Sequence, residues 1–369
     1  MRFDASNASP SLRPWNADDC ICGRMRRTEP CPSWAPSGTR WNAALTGPGT
    51  PGPSTSRSNP SAIFTSFAGV PGYRGPRYLK RSSGAGEPAA RLSRMSDDVA
   101  RVFDRMAGTY HELEPWYEHL YAVLHEILRA EIPPADRGRR ALDAGCGTGF
   151  QTAALEKLGY ESHGVDISAG VLRIAARTLS RSWLARGNLE SLPYADESFD
   201  AVVCCGSTLS FTGKPTRAVA ELARVLRPGG ALLLECEHKW SLDLGWALVS
   251  SVTRDSLGYG VTPRSAWRQI ARPLREGLAI DYEGAPLRLF TTTELGEMLA
   301  ATGLVPLRRW GIHWATNVIP STILHRPRLG RMTAMLYRRL RAIDRRFAVA
   351  PLAQRVSNSL VILAGKTAR

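Results

Sequence analysis

Hydrophobic and polar positions divide this chain near residue 94. Residues 1–94 keep neither a helical nor a strand period over any useful length and are rich in Pro, Gly, Ser, Thr and Arg. Such a stretch cannot bury enough apolar surface to offset its ordering entropy, so a disordered tail is expected there. From Met95 the pattern changes, and Met95 is read as the initiator, against the alternative of an arginine-rich transit segment. Ser96, Asp97 and Asp98 suit a helix N-terminus. Helices are expected over 97–112 and 115–131, the second carrying Trp116, Leu120, Val123, Leu124, Ile127 and Leu128 at helical spacing. Short apolar runs then alternate with helical patterns. Strands are expected near 140–144, 161–166, 182–187, 199–205 and 231–237, with helices near 148–158, 168–180 and 216–226. This alternation is that of a doubly wound α/β sheet.

The later pattern is less regular. Residues 239–290 mix aromatic and basic positions, and a helical cap is expected there. Thr293 is positioned to cap a helix that Gly303 stops, and a sixth strand runs from Leu304 to His313. Over 328–347, Leu329, Met332, Leu336, Leu340, Ile343 and Phe347 share one helical face, and arginines occupy the rest. That basic amphipathic pattern allows a lid helix, a membrane-surface contact or capture of an anionic acceptor. A last strand is expected from Ser359 to Lys366.

The chemistry concentrates where the first strand ends. Residues 141–149 read Ala-Leu-Asp-Ala-Gly-Cys-Gly-Thr-Gly. Three alternating glycines between a strand and a helix let bare backbone turn tightly and approach a nucleoside cofactor. A dinucleotide loop places its third glycine or alanine one position later, for packing beneath a pyrophosphate. Asp166 closes the second apolar run, where a carboxylate can accept from two ribose hydroxyls. Further stations are Gly187-Asn188-Leu189-Glu190-Ser191-Leu192-Pro193-Tyr194 and Leu226-Arg227-Pro228-Gly229-Gly230.

In order and spacing these stations resemble the class I S-adenosylmethionine-dependent methyltransferases. Within them the chain is similar to the small-molecule group that includes the ubiquinone/menaquinone C-methylases. Residues 99–110, Val-Ala-Arg-Val-Phe-Asp-Arg-Met-Ala-Gly-Thr-Tyr, are similar to that group's N-terminal helix. The resemblance implies a Rossmann-like seven-stranded sheet: six strands parallel, the last antiparallel between strands five and six. It covers about 95–313, so a methyltransferase domain is expected over 95–369, with cap insertions at about 239–290 and 314–356.

It also implies S-adenosyl-L-methionine as cofactor. The loop backbone of Gly145, Cys146, Gly147 and Gly149 should face its methionine end and ribose. Asp143 would lie near the amino group, Asp166 on the ribose, Ile167 against adenine, and Asn188 and Leu189 at the adenine edge. Tyr110 matches the family's tyrosine over the methionine carboxylate, and Cys205 follows strand four at the ligand edge of the sheet. His238 and His313, at the ends of strands five and six, are the candidate general bases for an oxygen or carbon acceptor.

Charge refines the partners. The net charge of +15 divides unevenly: 13 Lys/Arg against 5 Asp/Glu over 1–94, 24 against 27 over 95–319, and 9 against 1 over 320–356. A near-neutral core without basic-aromatic interleaving speaks against a nucleic-acid partner. No Asn/Asp-Pro-Pro-Tyr/Phe follows strand four, which argues against a base amino-methylase. A small or lipid-like acceptor is expected. Cys20, Cys22 and Cys31 lack a fourth ligand at zinc spacing, so no metal is expected, and the remaining cysteines read as a reduced, cytoplasmic interior. The competing readings are an NAD-dependent oxidoreductase, a nucleic-acid binder and a protein that holds the cofactor without catalysis.

Overall fold

The computed structural model describes residues 88–109, 115–271, 275, 280–282, 285–326 and 328–367. Most of the tail expected over 1–94 lies outside these residues, as does Tyr110. Helix α1 spans Pro88–Met106, so the boundary expected at 94/95 falls inside a helix. Proline at the first helical position has its φ already set and needs no donor there. A 3-10 turn, Ala107–Thr109, ends this segment, and α2 follows at Pro115–Glu131.

Five strands then alternate with helices as expected. They are β1 (Arg140–Ala144), β2 (Glu161–Asp166), β3 (Trp183–Arg186), β4 (Phe199–Cys204) and β5 (Leu226–Glu237). The intervening helices are α3 (Phe150–Lys157), α4 (Ala169–Thr178) and α5 (Pro215–Val225). Strand β5 begins earlier than the apolar run suggests. Leu226 pairs with Phe199 and Ala231 with Ala201, and the residues between them form a bulge. Gly229 there has φ +76°, and a Cβ on Gly230 would lie 2.8 Å from the Asp200 carbonyl oxygen.

The stretch expected to be a helical cap is only partly helical. It holds α6 (Leu242–Val252) and a short turn of helix at Pro263–Ala266. It also holds an antiparallel hairpin of β6 (Ile280–Tyr282) and β7 (Ala285–Leu287). Helix α7 (Thr292–Ala300) is capped by Thr291, two residues before the expected cap. The Glu294 N–H donates to Thr291 Oγ1 at 3.1 Å and the Thr291 N–H to Glu294 Oε2 at 2.7 Å, a reciprocal box. Strand β8 (Leu304–Ile312), helices α8 (Arg331–Phe347) and α9 (Pro351–Val356), and β9 (Ser359–Lys366) complete the chain.

The seven-stranded sheet has the order β3-β2-β1-β4-β5-β9-β8. Strand β9 is antiparallel to both β5 and β8, and the other six strands share one direction. Alternate side chains go to opposite faces. Ala141, Val203, Leu233 and Val361 join the α2 layer with Leu120 and Leu124, whereas Leu142, Val202, Leu232 and Ile362 join the layer of α5 and α7. Strand order reverses at β1, so the chain leaves β1 and β4 in opposite directions and a crevice opens between their C-terminal ends. Among the described residues no helix is long and apolar enough to cross a membrane.

Candidate functional site

The crevice is built around the turn after β1. Gly145, Gly147 and Gly149 have φ of +84°, +52° and +95°, the left-handed region that glycine enters without penalty. Space is equally restrictive, since a Cβ on Gly145 would lie 2.2 Å from Thr208 Oγ1. The turn is pinned to the neighbouring strand. The N–H groups of Gly145 and Cys146 both donate to the Val165 carbonyl, at 2.7 and 3.0 Å. Asp166 then accepts from Gly147 N–H through Oδ2 and from Ser168 N–H through Oδ1, each at 2.9 Å. Burial raises the Asp166 pKa, and the backbone N–H groups of Ser168, Gly147 and Ile167 oppose that rise.

These groups wall a cavity of about 860 Å³, its open mouth included. Four strand ends contribute: Gly145, Cys146 and Gly147 after β1, Asp166 and Ile167 at β2, Asn188 and Leu189 after β3, and Cys205 after β4. Val99 and Phe103 of α1 and Tyr121 of α2 complete the wall. Helix α1 is held at the rim by Asp104, whose Oδ1 accepts from Ser168 Oγ at 2.6 Å and Gly170 N–H at 2.7 Å. Asp104 was not singled out in the sequence, although an acid inside the helix that flanks the glycine loop was the signal.

Two expected site residues lie outside the wall. Gly149 is the N-cap of α3 and no part of the wall; its Cβ would lie 2.7 Å from Leu179 Cδ1. Asp143 sits behind the loop, buried, and accepts from Thr152 Oγ1 at 2.6 Å. It is not among the residues that wall the cavity. Cys205 does line the cavity, as a buried thiol whose pKa burial raises well above its usual value.

Neither His238 nor His313 lines the cavity. His238 is buried with Nδ1 3.1 Å from the Ser357 carbonyl, and burial lowers its pKa. His313, fully buried at φ +60°, stacks on Trp116 with ring centroids 3.7 Å apart and meets Thr316 Oγ1 at 2.9 Å through Nδ1. Burial, with His119 and His325 nearby, drives its pKa well down. His313 belongs to a clasp centred on Asp344 of α8. That carboxylate accepts from Ala315 N–H at 2.7 Å, Thr316 N–H and Oγ1, and lies 3.2 Å from His119 Nε2. Strand ends alone suggested access; Trp116 and His119 of α2 close over His313, and His238 turns to the Ser357 carbonyl.

A second group was invisible in the sequence. Glu235 and Glu237 of β5 are both buried and hold the loop that follows β4. Ser207, at φ +58°, donates its N–H to Glu235 Oε2 at 2.7 Å and its hydroxyl to Glu237 Oε1 at 2.8 Å. Asn358 Nδ2 donates to Glu237 Oε2 at 2.8 Å. Burial, with Glu235 alongside, raises the Glu237 pKa well above its usual value.

Comparison with known proteins now joins this geometry. Residues 142–234, from inside β1 to inside β5, match the family described as "Methyltransferase domain". A demethylmenaquinone methyltransferase of Renibacterium salmoninarum is 32% identical over 149 residues, which are 39% of this chain and 61% of that one. Residues 142–234 of this chain are thus similar to a methyltransferase domain. A malonyl-(acyl-carrier protein) O-methyltransferase of Pectobacterium atrosepticum is 34% identical over 36% of this chain and 51% of its own length. The chain thus spans about half to three fifths of the length of these curated relatives. A solved Thermotoga maritima methyltransferase, described as a possible histamine N-methyltransferase, covers 72% of this chain at 19% identity and a TM-score of 0.44.

Within the methyltransferase domain Asp143 supplies a pH test. Burial raises its pKa from 3.8 to about 7, Thr152 opposing the rise and Asp166 adding to it. Between those values the folded state keeps a proton that the unfolded state has lost, so this group's contribution to stability declines as pH rises from about 4 to about 7. Asp143→Asn removes the titration. Its urea midpoint should decline less than the wild type's between pH 4.5 and 7.5, the difference corresponding to about 2–4 kcal/mol. A variant whose stability follows the wild type across that range would contradict the assignment.

Proposed function

We propose that this chain transfers the methyl group of S-adenosyl-L-methionine to oxygen or carbon of a small or lipid-like acceptor. The observation that carries the reading is the Asp166 carboxylate at the wall of the glycine-loop cavity. Of its roughly four lone-pair directions, two are taken by Gly147 and Ser168, leaving acceptors for two ribose hydroxyls. Ile167 and Leu189 offer apolar contact for adenine. Asn188, whose Oδ1 accepts from the Glu190 N–H at 2.9 Å, stands in the wall where the adenine edge would fall. The residues present fit the cofactor. When bound, its sulfonium supplies an activated methyl group and a neutral leaving thioether.

The chain's own part is placement. The backbone of Gly145 and Gly147 would take the methionine end, and Cys205 and Gly206 border the space where an acceptor would meet the methyl group. Phe103 and Val99 exclude water from that side. With no histidine among the described residues of the cavity wall, we read the rate as coming from in-line orientation of an acceptor that is already a good nucleophile. Of the named relatives one is an O-methyltransferase and one a demethylmenaquinone methyltransferase, and both names are in keeping with this reading.

The same reading takes 95–369 as the catalytic unit, with caps at 239–290 and 314–356, and places it in the cytoplasm. Cys146, Cys204, Cys205 and Cys236 are free buried thiols, in keeping with a reducing compartment. Peripheral membrane contact through 328–347 belongs to it as well. Calorimetry tests the core of the proposal: S-adenosylhomocysteine should bind the full chain and NAD should not. The reverse result would overturn it in favour of an oxidoreductase.

A further inference from the structure

Two helices in the later part of the chain face the wrong way for water. Helix α6 turns its polar side chains inward. Asp243 is fully buried and accepts from Tyr259 Oη at 2.6 Å and Ser321 N–H at 3.1 Å; Ser250, also buried, donates to Asp255 at 2.8 Å. Its outward stripe is Leu242, Leu248, Val249 and Val252, the last 71% exposed. Asp243 is the helix's one charged residue, so nothing charged faces out.

Helix α8 repeats the inversion on a larger scale. Tyr337 and Asp344 are buried, Asp344 in the clasp described above. Met332, Met335, Leu336, Ile343 and Phe347 are exposed, Met332 by 75%. At helical spacing these five form one stripe along the outer side. The apolar face expected over 328–347 exists, and most of it points to solvent. Arg339 and Arg346 lie within the stripe, and Arg331 and Arg338 run beside it, all exposed. Both helices pack against the 316–318 turn, where Trp246 Nε1 donates to the Asn317 carbonyl at 2.9 Å and Val318 stands exposed.

We propose that the outer faces of α6 and α8, joined by the 316–318 turn, form a surface that seats the protein on an anionic lipid bilayer. An exposed apolar stripe edged by arginines is the pattern of a helix lying in the headgroup region, where guanidinium groups reach phosphate while their stems stay among apolar groups. Charge selects among occupants. Residues 1–94 hold 13 Lys/Arg against 5 Asp/Glu, and 320–356 hold 9 against 1, so the chain's own tail and a second copy both bring like charge. An anionic bilayer brings the opposite sign over an extended plane. Position agrees: α6 follows the C-terminal end of β5 and the turn follows that of β8, the sheet edge at which the cavity lies. The surface deepens the lipid-like acceptor reading, since a bilayer-dissolved acceptor would be met at the cavity's own edge.

The test is flotation of the full chain with phosphatidylcholine vesicles made with and without phosphatidylglycerol. Binding should require phosphatidylglycerol and weaken as salt rises. Leu336→Glu combined with Phe347→Glu should lower vesicle binding at least about tenfold. Arg338→Ser, Arg339→Ser and Arg346→Ser should each lower it about fivefold. All five side chains are exposed, so S-adenosylhomocysteine binding should be unchanged and certifies folding. Equal binding to both vesicle types, or wild-type binding by these variants, would overturn the proposal. So would a dimer in sedimentation velocity that Leu336→Glu dissociates, because a second copy would then own the face. Vesicle binding without cofactor binding would remove the methyltransferase reading and leave the surface standing.

Discussion

Replacing Asp166 by alanine should weaken S-adenosylhomocysteine binding roughly 30- to 150-fold, about 2–3 kcal/mol. Two losses combine in this figure. The ribose hydroxyls lose their acceptor, and the N–H groups of Gly147 and Ser168 lose the carboxylate that orders the glycine turn. Charge-assisted hydrogen bonds are the stronger kind, so the carboxylate matters more than its shape. Asp166→Asn separates the two. It keeps the volume and one acceptor oxygen but presents an amide NH₂ to a backbone donor, so an intermediate loss is expected. Calorimetry gives the affinity, and thermal unfolding of the free protein shows how much of the loss is turn disorder. An alanine variant with affinity within twofold of wild type would remove Asp166 from the ribose role.

The largest expected effect on stability lies outside the cavity. Gly311 sits in β8 where α9 crosses it, and a Cβ there would lie 2.2 Å from the Ala353 carbonyl oxygen and 2.8 Å from Ser357 Cβ. The first obstacle is backbone, so a rotamer change cannot relieve it. The Gly311 N–H also donates to the Ala348 carbonyl at 2.8 Å, which ties the strand to the end of α8. Gly311→Ala should therefore cost about 3 kcal/mol or more, at or above the upper end of ordinary overpacking. In a domain of this size that is a fall in Tm of about 6–12 °C. A variant melting within a degree of wild type would mean that α9 docks elsewhere in solution.

Much of this architecture was readable because it is local. A strand ends in apolar residues, a helix resumes a 3.6-residue period, and neither depends on distant partners. The five alternating strands, the glycine turn and Asp166 at the neighbouring strand tip are of this kind. The placement of β9 between β5 and β8 came from family resemblance rather than from periodicity. Features set by one or two residues were misplaced. Pro88 starts α1 before the expected boundary, Thr291 takes the cap expected of Thr293, and the Arg-Pro-Gly-Gly turn became a bulge inside β5.

The candidate site divides the same way. Gly145, Gly147, Asp166, Ile167, Asn188 and Leu189 share one wall because strand order brings the ends of β1, β2 and β3 together. His238 and His313 also stand at strand ends, yet both are buried outside the cavity, His238 against the Ser357 carbonyl and His313 against Trp116. Glu235 and Glu237 fall within the strand expected over 231–237, and their work on Ser207 depends on a partner loop about thirty residues away.

Helix α8 gives the sharpest contrast. Its period announces a helix and an apolar stripe, and that much is a property of the chain alone. Which stripe turns inward is a competition between faces, and Asp344, with four donors converging on it, outweighs the contact that Met332, Leu336 and Ile343 could make with the sheet. Local order along a chain determines what kind of element forms. Rotation about its axis is decided by hydrogen-bonding partners that only the assembled layers bring within reach.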